Sequence, residues 1–173
     1  MRGSRAMVVM AVVLLVTPSL ISAADPMTVH FLPQDGLEPI FELYRDAKRS
    51  ISVASYVLSN EAIASELIKA TSRGVKVRVL LDESQTSGNR FSVHWMLLKI
   101  NAEVRTVSAK MGPMTNEFGV IDDRVLYTGS GLLHSDIKSN PKIGSYLILR
   151  ADQGVVEGYS REFQKLFERG SRP

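Results

Sequence analysis

Gly74-Val75-Lys76-Val77-Arg78-Val79-Leu80-Leu81-Asp82 decides the fold class. It opens with apolar and polar residues in strict alternation, the period of a strand, then runs apolar through Leu81, as a strand does when both its faces are covered. Just upstream, Ser59-Asn60-Glu61 offers a cap for a helix carrying Ile63, Leu67, Ile68 and Ala70, which stops at Gly74. Before that helix, Ser50 to Leu58 is rich in β-branched and aromatic residues and reads as another strand. A strand, a helix and a strand in this order form a unit with a right-handed crossover. Toward the N-terminus, Thr28 to Leu32 predicts a strand ended by Pro33, and Leu37, Ile40, Phe41 and Tyr44 recur at helical spacing. Toward the C-terminus, Arg90 to Ile100 predicts a helix with His94, Trp95, Leu97 and Leu98, and Ala102 to Val107 a strand. Phe118 to Ile121 and Val125 to Thr128 flank Asp122-Asp123-Arg124 as two strands joined by a tight turn. Gly144 to Arg150 is the last strand, and Val155 to Phe167 a helix presenting Val156, Tyr159, Phe163 and Phe167. The class is α/β, a layered domain with a mixed, mostly parallel sheet flanked by helices.

Composition agrees with one globular domain: 173 residues, 45% hydrophobic and 23% charged. With no cysteine, the chain holds neither a disulfide framework nor a thiolate metal site or nucleophile. Its three histidines are His30, His94 and His134. Residues 1 to 24 read as an export signal, with Arg2 and Arg5, an apolar run from Ala6 to Val16, and the small residues Ser22-Ala23-Ala24 at the cleavage site. Residues 25 to 173 are then the folded domain, placed in a bacterial periplasm or secreted; the alternative is anchoring by an uncleaved N-terminal segment. Cleavage takes Arg2 and Arg5 from the 21 basic residues and none of the 18 acids, so the charge drops from +3 to +1. Global basicity is therefore no argument for a nucleic-acid or membrane surface.

Three segments carry a resemblance: Ala47-Lys48-Arg49-Ser50-Ile51-Ser52-Val53-Ala54-Ser55-Tyr56, Gly74 to Asp82, and Val120-Ile121-Asp122-Asp123-Arg124-Val125-Leu126-Tyr127-Thr128-Gly129-Ser130. Together with the closing helix from Val155 to Phe167 and the order of elements, they resemble the phospholipase D superfamily, especially its small secreted single-domain nucleases. The resemblance implies a phospholipase D-like layered fold and a motif of His, any residue, Lys, four residues and Asp, followed by a Gly-Ser-x-Asn turn. It also implies a mechanism in which a histidine attacks a phosphodiester phosphorus, a lysine holds a nonbridging oxygen, and a second histidine protonates the leaving group. Small members carry one motif and complete the site by dimerising, with no metal and no other cofactor. The chemistry suits those groups, since near neutral pH histidine is available both as neutral imidazole, the nucleophile, and as imidazolium, the acid.

On this sequence the motif falls at Thr115, Glu117 and Asp122, with the turn at Gly129-Ser130 as the substrate-binding segment. Thr115 stands in place of the nucleophilic histidine and Glu117 in place of the lysine, Leu132 replaces the asparagine, and Gly144 lies where a supporting glutamate is common. Exchanging a cation for Glu117 reverses an interaction of roughly 4 kcal/mol for charges about 4 Å apart at an effective dielectric of 20. His134, in the following loop, is the candidate substitute for the lost imidazole. His30 reads as a surface or edge-packed imidazole and His94 as helix packing. Glu117, Asp122 and Asp123 have the oxygen atoms that a hard metal ion prefers, but Asp123 reads instead as an exposed turn residue and Asp122 as an inward hydrogen-bonding one, with no metal expected. Leu132 and Leu133 either line a cleft or seal the core, and Lys138 and Lys142 are placed to touch an anion. The expectation is a degenerate phosphodiesterase-family domain acting as a binding or assembly protein, as a homodimer or paired with a related chain. The alternative is an active phosphodiesterase on nucleic acid or phospholipid, the two phosphodiester ligands the family implies.

Overall fold

Seven strands form one sheet in the order β1-β7-β6-β5-β2-β3-β4. In chain order the elements are β1 (Met27–Leu32), α1 (Glu38–Asp46), β2 (Ser50–Ser55), α2 (Glu61–Ser72), β3 (Lys76–Asp82), α3 (His94–Leu98), β4 (Glu103–Val107), β5 (Phe118–Ile121), β6 (Val125–Gly129), β7 (Gly144–Leu149) and α4 (Gln153–Arg169). They are seen in a computed structural model that describes residues 26–86, 89–100, 102–108, 110, 112–134, 143–150 and 152–173. The expected export signal and the loop lysines Lys138 and Lys142 lie outside the described residues.

β2, β3 and β4 are parallel neighbours, joined through α2 and α3 as the period-two and helical patterns predict. The other four pairings are antiparallel. Following them across the sheet, five of the seven strands point the same way and only β5 and β7 run against them. The departure from a simple alternation is β1: it pairs with β7 at the far edge, with Val29 opposite Leu147, rather than beside β2.

Local chemistry explains the element ends. Asn60 caps α2 by accepting from the N–H groups of Ala62 and Ile63, and Gly74 leaves the helix at φ +86°, a region that favours glycine. Asp152 caps α4 through the Val155 N–H. α3 is shorter than the predicted helix over 90–100. The Asn89 side chain takes the Phe91 N–H, and Leu58 O takes both the Ser92 hydroxyl and the Val93 N–H, so these donors are drawn away from a helical ladder.

Alternation along the strands divides the core in two. Ile51, Val53, Val79 and Leu81 face α1, α2 and α3, together with Ile40, Tyr44, Leu67 and Leu97. Ala54, Leu80, Phe118 and Val120 face α4, against Val156, Phe163 and Phe167. Arg78, a polar position in the alternating part of β3, lies over the Phe163 ring at 5.1 Å and bonds Gln164. α4 packs on β2 to β6, and among the described residues Met27, Val29 and Phe31 of β1 are left exposed on its side of the sheet.

Candidate functional site

The carboxyl ends of β2, β3 and β4 meet the start of β5 and the end of β6 along one edge of the sheet. Asp82, at the end of β3, is buried there and organises the approach to β5. Its Oδ1 accepts from the Ser84 N–H at 2.9 Å and the Ser84 hydroxyl at 2.6 Å, and its Oδ2 accepts from the Met114 N–H at 2.8 Å. Burial alone would push its pKa up. The bonds from Met114 and Ser84 outweigh it and hold the carboxyl below its usual range. Sequence reasoning saw Asp82 only as the end of a strand; its role rests on a contact 32 residues away.

Met114 is thereby buried, and Thr115 and Asn116 emerge exposed beside it. Among the described residues no base is hydrogen-bonded to the Thr115 hydroxyl. Glu117 turns inward. Its Oε2 accepts from the Gly131 N–H at 2.7 Å and its Oε1 from the Leu133 N–H at 2.8 Å, so one carboxylate closes over the loop that follows β6. The Glu117 carbonyl accepts from the Thr128 hydroxyl at 3.0 Å and from the Gly129 N–H at 3.3 Å. Leu133 O in turn takes the N–H groups of Ser59 and Asn60, which ties the loop to the start of α2. Leu132 and Leu133 are fully buried with the helical core: of the two expectations for them, the structure shows the seal.

Beneath this loop the hydroxyls of Tyr44 and Tyr127 bond each other in the core, the rings edge to face at 6.0 Å. Burial raises the pKa of both, and the negative charge of Glu117 raises it further. Gly119 exists to admit Tyr127, because a Cβ there would overlap its ring. At Gly129 a side chain would overlap Tyr146 and the Ser145 carbonyl, so this turn is glycine for backbone approach rather than for φ. Ser130 is exposed, its N–H bonded to Ser145 O.

Asp122 lies at the other end of β5, roughly 16 Å from Glu117 along an extended chain. Both it and Asp123 adopt φ near +55°, which suits the tight turn between β5 and β6. Its carboxylate accepts three backbone N–H bonds, from Lys48, Arg49 and Ser50, at 2.7–2.9 Å. Burial would raise its pKa; these bonds and the Arg49 charge prevail and lower it. Asp122 thus joins the β5–β6 turn to the start of β2, and Asp123 is exposed. Glu117 and the two aspartates, considered from sequence as oxygen ligands, do not converge.

His134 follows Leu133 directly, half-buried at the same edge as Thr115 and Glu117. His30 stacks on Tyr146 at 4.8 Å, and His94 bonds Ser92, with burial lowering its pKa; both are packed side chains. A shallow groove of about 440 Å³ lies beside Thr115, lined by Asn116, Phe118, Val155, Gly158, Tyr159 and Glu162. The edge therefore offers an exposed hydroxyl, a carboxylate bound by two backbone amides, and an imidazole on the same loop.

Comparison with known proteins gives a consistent result. The family model described as "Cardiolipin synthase, PLD-like domain" matches residues 40–167. A protein named Phospholipase D from Rickettsia prowazekii (strain Madrid E) is 30% identical over 143 residues, covering 82% of this chain and 67% of that protein. Other curated relatives are spanned over 57% and 56% of their length. NucT from Helicobacter pylori has a similar structure, with TM-score 0.74 at 24% identity over 83% of this chain and 96% of that one. Nuc from Salmonella typhimurium, described as a phospholipase D family member, follows at TM-score 0.73 and 19% identity, over 84% and 95%.

Proposed function

This chain belongs to the phospholipase D-like domain family, and from that premise we propose that it is a member without phosphodiesterase activity, acting as a binding or assembly component. One observation carries the reading: the carboxylate of Glu117, the residue that the sequence sets at the motif's lysine position, is itself the anion bound by the Gly131 and Leu133 amides. A phosphate oxygen brought to this edge meets negative charge in place of an ammonium, so a nucleic acid or phospholipid loses its main anchor. Thr115 has the same deficiency in a different form. A hydroxyl needs a base to become a nucleophile, and none is bonded to it among the described residues.

Association is the second part of the proposal. Met27, Val29 and Phe31 of β1 are 53–58% exposed on the α4 side of the sheet, among the described residues. Leu149 and Leu147 lie opposite Met27 and Val29 in register, which continues the apolar face across β7. A second copy, or a related chain with the same face, suits this surface, since an isologous dimer pairs one patch with itself. Stable dimers bury about 800 Å² on each partner, and Val29→Asp with Phe31→Asp is expected to leave a monomer in sedimentation equilibrium where the natural chain is a dimer. We further propose that the folded part works outside the cytoplasm, in keeping with the export signal expected at residues 1 to 24.

The test is metal-free turnover of bis(p-nitrophenyl) phosphate and of single-stranded DNA by the full chain, beside His134→Ala. No turnover above the buffer rate is the expected result. Turnover abolished by His134→Ala would overturn the proposal and make the chain a phosphodiesterase with its imidazole moved into the loop after β6.

A further inference from the structure

The segment from Gln85 to Ile100 contains two cations, Arg90 and Lys99, and no acid. Val93 and Leu97 anchor it in the core, helped by the bonds of Ser92 and Val93 to Leu58 O. Phe91, Trp95 and Leu98 point the other way, 62%, 49% and 48% exposed. Trp95 and Leu98, three residues apart on α3, share one of its faces, and Phe91 stands exposed in the turn that leads into the helix, so the three form a stripe of exposed apolar side chains along this segment. Each aromatic ring carries a cation on one face: the Arg90 guanidinium lies 4.8 Å from the Phe91 centroid, and the Lys99 ammonium 4.5 Å from that of Trp95. The Asn89 side chain fixes the Phe91 N–H and bonds Gln85, so the stripe is held in place before any partner arrives.

We propose that this stripe is a docking surface for an anionic lipid bilayer. An exposed tryptophan, phenylalanine and leucine suit the interfacial region of a bilayer, and the cations beside the two rings pair with lipid phosphates there. A net charge of +2 with no acid in the segment complements an anionic leaflet and disfavours an acid-rimmed protein site. Single-stranded nucleic acid fits less well, because stacking needs free ring faces along a concave channel, and here one face of each ring is already covered. The stripe sits on the α1–α3 side of the sheet and the exposed β1 face on the α4 side, so lipid and a second copy do not compete. The inference is independent of whether the edge bearing Glu117 is catalytic.

Trp95 is the single tryptophan of the chain, which makes the experiment direct. Full-length protein is titrated with vesicles of phosphatidylcholine alone and with about a third phosphatidylglycerol, following tryptophan emission and its quenching by brominated acyl chains. A blue shift and quenching with the anionic vesicles are expected, with affinity reduced about tenfold or more in Arg90→Glu with Lys99→Glu, which keeps the reporter. Circular dichroism checks that this variant is folded, and any contribution of residues 1 to 24 is common to both proteins. An unshifted and unquenched Trp95 on anionic vesicles would overturn the proposal. So would an equal response in the charge-reversed variant, a spectral change with single-stranded DNA but not vesicles, or one that follows protein concentration without lipid.

Discussion

Removing the Glu117 carboxylate tests whether it closes the edge. It accepts two backbone N–H bonds at 2.7 and 2.8 Å, and the residues between and beside those amides, Leu132 and Leu133, are fully buried. Hydrogen bonds to a charged group contribute about 1.5–3 kcal/mol each, and a buried donor left without a partner costs about 1–3 kcal/mol. Glu117 is only half-buried, so water recovers part of that loss, and Glu117→Ala is expected to destabilise the chain by about 2–4 kcal/mol. For a domain of this size that is a fall in Tm of roughly 5–15 °C. Glu117→Gln keeps one acceptor and turns an amide donor toward the other N–H, so it falls between the natural chain and Glu117→Lys, whose ammonium faces two donors and accepts from neither. Amide hydrogen exchange gives the local reading: the Gly131 and Leu133 protons should exchange faster in all three variants, with those of β3 changed only through global stability. A loss below about 0.5 kcal/mol in Glu117→Ala, with both amides still protected, would refute the reasoning, because a contact worth that little holds nothing closed.

Four further outcomes follow from the same geometry. The Asp82 and Asp122 carboxyls titrate below their ordinary value of 3.8 in the folded chain, so their stabilisation is complete above that value and is lost as the pH falls through it toward their folded pKa values. Asp122→Asn should therefore lower Tm near neutral pH and flatten its dependence between about pH 5 and 2. Gly119→Ala should cost about 1–3 kcal/mol by overlap with the Tyr127 ring, most of it recovered in a Tyr127→Ala background, measured as the coupling in a double-mutant cycle. Tyr44→Phe strands the buried Tyr127 hydroxyl and should cost about 1–3 kcal/mol in urea unfolding, whereas adding Tyr127→Phe removes the stranded group and restores part of the loss. Thr115→His with Glu117→Lys should fail to produce phosphodiesterase activity and should unfold earlier than the natural chain, because the second change releases the loop that the new site would need.

What was legible in the sequence is what short stretches decide. The caps at Asn60, the glycine exit at Gly74 and the turn at Asp122-Asp123 are all local chemistry, and each element they bound lies where the pattern places it. The Asp122 side chain could be read as inward-bonding because a tight turn leaves a carboxylate near the backbone of the strand alongside. α3 came out shorter because its first donors are taken by Leu58, some 34 residues earlier, and no periodicity carries that information. β1 went to the far edge for a similar reason: its partner is set by the last strand, with Leu32 opposite Gly144. At the site, the motif spacing led to Thr115 and Glu117 but not to what their side chains touch. That Glu117 repels phosphate follows from its charge; that it binds its own loop follows only from where Gly131 and Leu133 are.

On the proposed alignment Glu117 and Leu132 fill the motif's lysine and asparagine positions, and the structure couples these two residues mechanically. The carboxylate draws in the amides on either side of residue 132, and the side chain between them is thereby committed to the core, where leucine is favourable and asparagine would lack partners. Restoring the asparagine alone puts an amide into an apolar seal against Tyr44 and Tyr127. Restoring the lysine alone removes the anion that holds the seal. Each reversal is destabilising while the other stands, so the two should show coupling in a double-mutant cycle: Leu132→Asn should cost less with Glu117→Lys present than without it. Additivity of the two within about 0.5 kcal/mol would mean that the loop is closed by its leucines and not by the carboxylate. The reading of Glu117 as the group that replaced phosphate at this edge would then fall with it.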